Sequence, residues 1–288
     1  MRDFFLININ MNKIIDSHCH PYLNKQKDTD EVIVNFFENW GDKMIVIWTD
    51  LNTSETSLKL SKKYPWVYST IWIHPCDIDD LDLENTILKL ENLLLQNRNN
   101  IVWIWECWLD YYWLEKDEKI NTLKWELRDK AINLKKKLQE LFFRAQISIA
   151  EKYDLPIIIH NRDSKEDIYK ILKDTWFKKF IFHCYSEDLE YANRLIELSP
   201  ECKISFSWIV TFKNAKDIQE TAEKIDKKHI LAETDAPYLT PTPFRWKEEN
   251  EPIYTKYIIE QIAYLRAENK DKTYEYIHNN TQSIFWLN

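Results

Sequence analysis

The sequence predicts an α/β fold, a single (β/α)8 TIM barrel, from three observations. Short β-rich runs alternate eight times with helix-spaced segments. That alternation implies a parallel sheet, and eight units in 288 residues favour closure into a barrel over an open doubly wound sheet. No low-complexity linker divides the chain, so residues 11–288 read as one domain behind residues 1–10, whose MRDFFLININ carries no pattern and leaves Met11 as an alternative start.

The first run, Lys13 to His18, holds Ile14-Ile15 and leads into Asp16-Ser17-His18-Cys19-His20. The later runs are Lys43 to Trp48, Val67 to His74, Ile101 to Glu106, Leu155 to His160, Phe180 to Tyr185, Lys203 to Val210 and Ile230 to Asp235. Between them apolar residues recur every three or four positions, as at Leu134, Leu138, Leu141, Phe142, Ala145 and Ile149. Pro237 to Pro252 forms a Pro-rich loop after the last strand, and helices near 253–267 and 271–285 close the outer ring. No Gly-rich phosphate loop follows the first strand, which weakens the doubly wound alternative.

A hydrophobic content of 44% supports a substantial core. Charge interrupts every apolar run well before the roughly 18 residues of a membrane helix, and the N-terminus lacks a signal peptide's order. A cytoplasmic protein with no membrane partner is expected. Its five cysteines, at 19, 76, 107, 184 and 202, include no Cys-x-x-Cys pair and suit reduced thiols. The net charge of −8 argues against a broad, sequence-independent grip on nucleic acid and leaves room for a local phosphate site. The composition has one anomaly. There is a single glycine, Gly41, where average usage predicts roughly twenty, beside thirteen tryptophans.

Alternate side chains of a strand point the same way, so His18 and His20 project together, as two ligands of one metal must. Glu106, His160 and Asp235 end strands four, five and eight, and His183 lies in the sixth run. Barrel sites assemble at the C-terminal ends of strands, so these residues are expected to converge at one mouth. Imidazoles and carboxylates without thiolate suit zinc, manganese or a similar divalent ion, and a carboxylate can bridge two of them. Two ions about 3.5–4 Å apart hold a water as hydroxide and polarise an ester or phosphoryl oxygen, so hydrolysis is the natural reaction class. Each residue also has a plainer reading. Asp163 and Ser164 could cap the helix that follows, His183 could be a core histidine, and Asp235 a turn residue before Pro237. His74, in Ile73-His74-Pro75, could contact substrate or sit in a loop. His229 and His278 receive no role, and Cys19 should face away from its flanking histidines.

With these residues in hand, the chain resembles the TatD family of metal-dependent deoxyribonucleases, a branch of the amidohydrolase-type barrels, from about Ile14 to Leu287. The motifs are Ile15-Asp16-Ser17-His18-Cys19-His20, Ile73-His74-Pro75, Leu109-Asp110-Tyr111-Tyr112, Phe143-Arg144-Ala145-Gln146, Ile159-His160-Asn161-Arg162-Asp163, His183-Cys184-Tyr185-Ser186 and Glu233-Thr234-Asp235-Ala236-Pro237-Tyr238. The resemblance implies two divalent ions, Mg, Mn or Zn. His18 and His20 would bind one, Glu106 would bridge, and His160 and His183 would bind the other. Asp235 would ligate and would orient or deprotonate the attacking water. The implied activity is hydrolysis of DNA phosphodiesters, at ends or in single strands, often as an exonuclease, and the pattern is compatible with a monomer. Arg162 and Arg245 would meet phosphate, whose oxygens a guanidinium fork matches, and His74 and Tyr238 would line the cleft. A related barrel hydrolase of amide, lactone or aminoacyl-ester bonds is the alternative, because such a site activates water without choosing the bond.

Two departures stand out. Cys76 replaces a histidine common after Ile-His-Pro in that family. Trp48, Trp72, Trp105, Trp108, Trp208, Trp246 and Trp286 stand where the family pattern has glycine, with Trp40, Trp66, Trp103 and Trp176 as further members of the set. Overpacking the mouth with indoles costs about 1–3 kcal/mol per site. The expectation is that many of these positions are glycine in the natural protein, since some bacteria read UGA as glycine, while Trp113 and Trp125 are left as tryptophan. A chain with every indole real would instead be a catalytically impaired binding protein.

Overall fold

The computed structural model describes residues 13–47, 58–71, 82–97, 101–104 and 106–287; at 71, 101–104, 106–108 and 119 it describes the backbone alone. Nine parallel strand segments run in chain order: β1 Ile14–Cys19, β2 Gly41–Val46, β3 Val67–Ile71, β4 Ile101–Ile104, β5 Glu106–Asp110, β6 Ile157–Arg162, β7 Phe180–Phe182, β8 Lys203–Phe206 and β9 Ile230–Ala232. They pair in the order β1-β2-β3-β4 and β5-β6-β7-β8-β9. The outer edges meet where Asp235 N donates to His18 O at 2.9 Å and His20 N to Ala236 O at 2.7 Å. Ser17 Oγ adds a bond to Ala232 O at 3.0 Å. The chain is thus the barrel that strand–helix alternation predicts.

Strand pairing corrects the expected fourth strand. Its first part, β4, pairs with β3, and its second part, β5, pairs with β6 from Glu106↔Ile158 to Asp110↔Arg162. Glu106 therefore begins a segment rather than ending one, because Cys107 to Asp110 stay in register with β6. By the same pairing β6 runs past His160 to Arg162. At the other extreme β8 stops at Phe206, and Trp208–Thr211 turn into a 3-10 helix where strand was expected.

Alternation along the strands divides the apolar residues into two layers. Ile15, Ile45, Ile47, Ile158, Ile181 and Leu231 cluster together with Ile284, Phe285 and Leu287 of the C-terminal segment. Ile14, Met44, Ile157, Ile159, Phe180 and Phe182 pack in the larger cluster with the helices. Burying each such side chain is worth about 1.5–3 kcal/mol. Helices Thr29–Glu38, Leu83–Gln96, Leu189–Leu198 and Lys270–Phe285 begin on Asp28, Asp82, Asp188 and Asn269, whose side chains accept from first-turn amides. Ser164 does not cap the helix Lys165–Thr175 that it precedes. Its hydroxyl instead donates to Leu109 O, tying β5 to the end of β6. The 28-residue helix Trp125–Lys152 buries Gln139, Phe142, Phe143, Gln146, Ile147, Ile149 and Ala150. Leu134 and Leu141 of the expected stripe are exposed, since the face that meets the barrel is centred on Phe143 rather than Leu141. No helix among the described residues is long and apolar enough to cross a membrane.

Four tryptophans take left-handed backbone: Trp40 at φ 104°, Trp176 at 56°, Trp246 at 67° and Trp286 at 48°. That region costs an L-residue about 1–2 kcal/mol, and glycine adopts it freely. Trp176 and Trp286 are the C-caps of the helices Lys165–Thr175 and Lys270–Phe285, the usual place of glycine. Trp66 and Trp208 are not in this region. Trp48, Trp72, Trp105 and Cys76 lie outside the described residues, and the side chains of Trp103 and Trp108 are likewise not described.

Candidate metal centre

The end of β1 carries His18 and His20, both buried. Their Nε2 atoms are 3.2 Å apart. Oδ1 of Asp235, just past β9, lies 3.6 Å from Nε2 of His18 and 3.5 Å from that of His20. From β6, Nδ1 of His160 reaches Nε2 of His183 at 2.9 Å. The His18 and His183 rings stack with centroids 3.9 Å apart, joining the two pairs into one cluster. Two sets, His18 with His183 and Glu233 and His18 with His20 and Asp235, each hold their ligand atoms within 4.8 Å of one another.

The hydrogen bonds around the cluster test whether it suits a cation. Nδ1 of His20 faces the Ile47 carbonyl at 2.8 Å and the Tyr22 hydroxyl at 3.3 Å, so it carries the proton and its Nε2 keeps a lone pair toward Asp235. Nδ1 of His183 donates to Oε1 of Glu233 at 3.1 Å, leaving its Nε2 to accept from His160. A cation bound there would take the place of that proton. Outer partners of this kind fix the tautomer of metal-binding imidazoles. Burial, reinforced by His183, His20 and His160, holds His18 well below the usual imidazole range, so it is neutral, the form that ligates. The residues fit a divalent ion.

Asp16 and Glu233, which sequence motifs contain without signalling a role, hold the cluster from beneath. Asp16 Oδ1 accepts from His18 N at 3.2 Å and Thr234 N at 3.1 Å, and Oδ2 accepts from Thr234 Oγ1 at 2.5 Å. These bonds lash the ends of β1 and β9 together. Burial pushes the Asp16 carboxyl up to about 8 against the pull of those bonds. Asn250 Nδ2 donates to Thr234 O at 2.8 Å and so ties the Pro-rich loop to the same point. Asp235 and Cys184 both sit in left-handed backbone, at φ 53° and 45°, where strain turns the chain over the barrel mouth. The available sequence signal was spacing: Glu233 stands two residues before Asp235, and Asp16 two before His18.

The remaining expected residues spread around this centre. Backbone pairing sets Glu106 level with Ile158, two residues before His160; its side chain lies outside the description. His74 lies outside the described residues. Tyr238 is exposed, its ring edge-on to His20 with centroids 5.8 Å apart. The guanidinium of Arg162 sits 3.9 Å from the Tyr112 ring centroid. That of Arg245 sits 3.7 Å from Phe212 and 5.1 Å from Trp246. Both arginines are held on aromatic faces. Cys19 is buried and faces the Ile45 carbonyl, as expected for packing.

Comparison with known proteins agrees with this architecture. The family described as TatD related DNase matches residues 15–286. The metal-dependent hydrolase YabD of Bacillus subtilis is 35% identical over 280 residues, covering 96% of this chain and 100% of its own. The 3'-5' ssDNA/RNA exonuclease TatD of Salmonella typhimurium is 28% identical over 267 residues, covering 90% of this chain and 93% of its own. Among solved structures, YjjV, a TatD homologue from Escherichia coli, superposes with a TM-score of 0.80 at 22% identity over 97% of this chain and 100% of that one. The chain belongs to the TatD family of metal-dependent hydrolases.

Proposed function

We propose that the protein hydrolyses DNA phosphodiester bonds at ends or in single strands, as an exonuclease, using two divalent ions, Mg, Mn or Zn. The observation that carries the reading is the shared cluster of His18, His20, His160 and His183 beside Asp235, in which burial keeps His18 neutral and the outer nitrogens of His20 and His183 are already committed. His18, His20 and Asp235 would hold one ion, His160 and His183 the other, and Glu106 would bridge. When bound, such ions supply Lewis acidity toward a phosphoryl oxygen and a water acidic enough to react near neutral pH. Asp235 orients the attacking water and takes its proton through a carboxylate oxygen facing His18 and His20. Arg162 and Arg245, each with its guanidinium over an aromatic ring, would meet phosphate oxygens through their N–H groups. Tyr238, edge-on to His20, would line the cleft, and the family resemblance gives His74 the same role. The exonuclease activity named for the Salmonella relative supports the choice of bond.

Metal analysis followed by cleavage assays with Mg²⁺ or Mn²⁺ on single- and double-stranded DNA tests the reading. Metal-dependent shortening of DNA from an end is expected. A metal-loaded protein that cleaves only amides, lactones or small esters would overturn it in favour of a related hydrolase.

A further inference from the structure

Arg162 is the last residue of β6, two positions past His160 and on the same face of the strand. It therefore stands about 6.6 Å farther out along the barrel mouth. Its guanidinium lies over Tyr112 and is 5.4 Å from the Trp113 ring. Lys116, one helical turn on, brings Nζ within 3.8 Å of the same Tyr112 centroid. Among the described residues no ion pair joins Arg162 or Lys116 to a carboxylate, and Lys116 Nζ donates to the Tyr112 hydroxyl. Asp110, which caps this short helix through Trp113 N, is buried beneath them. Trp113 meets Tyr112 edge-on at 5.2 Å and is 49% exposed, which leaves an indole face open beside two cations.

We propose that Tyr112, Trp113, Lys116 and Arg162 form a nucleotide subsite next to the metal centre. Arg162 and Lys116 hold the phosphate adjacent to the scissile one, and Trp113 stacks an unpaired base. Aromatic stacking beside basic groups is how unpaired strands are gripped without sequence preference. A base locked in a duplex cannot present its face to Trp113, so the subsite selects single strands. The inference rests on the phosphodiesterase reading for its link to catalysis, but binding can be tested separately.

The test compares the full-length protein with Trp113→Ala, Trp113→Phe and Lys116→Ala. Metal-free binding of a fluorescein-labelled oligothymidylate is followed by anisotropy, and metal-loaded cleavage is followed on the oligonucleotide and on bis(p-nitrophenyl) phosphate. Trp113→Ala should weaken binding about tenfold and raise KM for the oligonucleotide similarly, a larger loss than on the small diester, with Trp113→Phe restoring most of it. Lys116→Ala should flatten the salt dependence of binding by about one unit of slope. Unchanged oligothymidylate binding in Trp113→Ala, or equal losses on both substrates, would overturn the subsite. If wild type cleaves neither substrate, the phosphodiesterase reading fails, and the binding data alone still decide the subsite.

The backbone carries a second, independent inference. Trp40, Trp176, Trp246 and Trp286 hold left-handed φ, and each residue is between 44% and 81% exposed, so none is a core side chain whose full burial would call for an indole at that place. The single glycine is not in that region, whereas Trp113 and Trp125 sit in helices. We infer that the natural polypeptide carries glycine at 40, 176, 246 and 286, through codons that its own cells read as glycine. Peptide mass spectrometry of protein from those cells should find glycine at these four positions and tryptophan at 113. Tryptophan at the four, or UGG codons there, would overturn the inference. In the recombinant chain, Trp176→Gly and Trp286→Gly should each raise Tm by a few degrees, and a fall in both would count against it.

Discussion

Oε1 of Glu233 accepts from Nδ1 of His183 at 3.1 Å and from the Cys184 amide at 2.6 Å. One buried oxygen thus fixes both the tautomer of an imidazole and the left-handed turn that follows it. Replacing Glu233 with alanine should lower divalent-metal affinity about 10- to 100-fold. Titration of metal-free protein with Mn²⁺ measures this, and wild-type affinity in the variant would remove Glu233 from the account.

Asp16 performs the corresponding task between β1 and β9. Its two oxygens take three bonds from His18 N and Thr234. Asp16→Ala leaves buried donors unmet, and stability should fall by about 2–4 kcal/mol. Urea unfolding of the metal-free variant measures the loss. Because Asp16 aligns strands that carry His18, His20 and Asp235, metal affinity should drop as well.

Much of this arrangement was legible in the sequence. The strands could be read because runs such as Ile157 to Ile159 and Phe180 to Phe182 are buried and strongly apolar, and His18, His20, His160, His183 and Asp235 follow such runs. What could not be read depends on partners distant in the chain. The handover of the fourth strand from β3 to β6 is a change of pairing partner, which composition does not encode. Glu233 acquires its role from His183 and Cys184, and Ser164 is drawn from its cap by Leu109 O. Leu134 has helical spacing yet is exposed, because the stripe was centred too far from Phe143. The left-handed conformations of Trp40 and Trp176 emerge only from the folded backbone.

Two histidines set an acid limit on the metal-free protein. Burial lowers both His18 and His229 below their ordinary value. In the unfolded chain each binds a proton near pH 6.5, while the folded form resists it. The stability these two histidines contribute is therefore fully present above that value and falls as pH drops below it. Between about pH 7 and pH 5 each histidine's loss steepens toward at most about 1.4 kcal/mol per pH unit while its folded form stays neutral, and Asp16, held protonated by burial, contributes the opposite slope over the same range, so the histidine part is read from the difference between wild type and variant. Chemical denaturation across that range measures it. His229→Gln should flatten the curve without changing metal affinity, since His229 bonds Cys202 O at 2.8 Å, away from the donor cluster.

Divalent metal should bind the folded chain alone and raise its Tm with concentration, as ligand linkage requires. His160→Ala should reduce that shift, because it removes the partner 2.9 Å from His183. Thermal unfolding with and without Mn²⁺ measures the shift, and an equal gain in the variant would place the ion elsewhere.

The most direct test of the central claim is the rate of single-stranded DNA cleavage by Asp235→Asn with saturating Mn²⁺. Wild-type protein should shorten the strand in a metal-dependent way, and the folded variant should be slower by about a hundredfold or more, because the amide cannot take the proton of the attacking water. Undiminished cleavage by the variant would contradict the account.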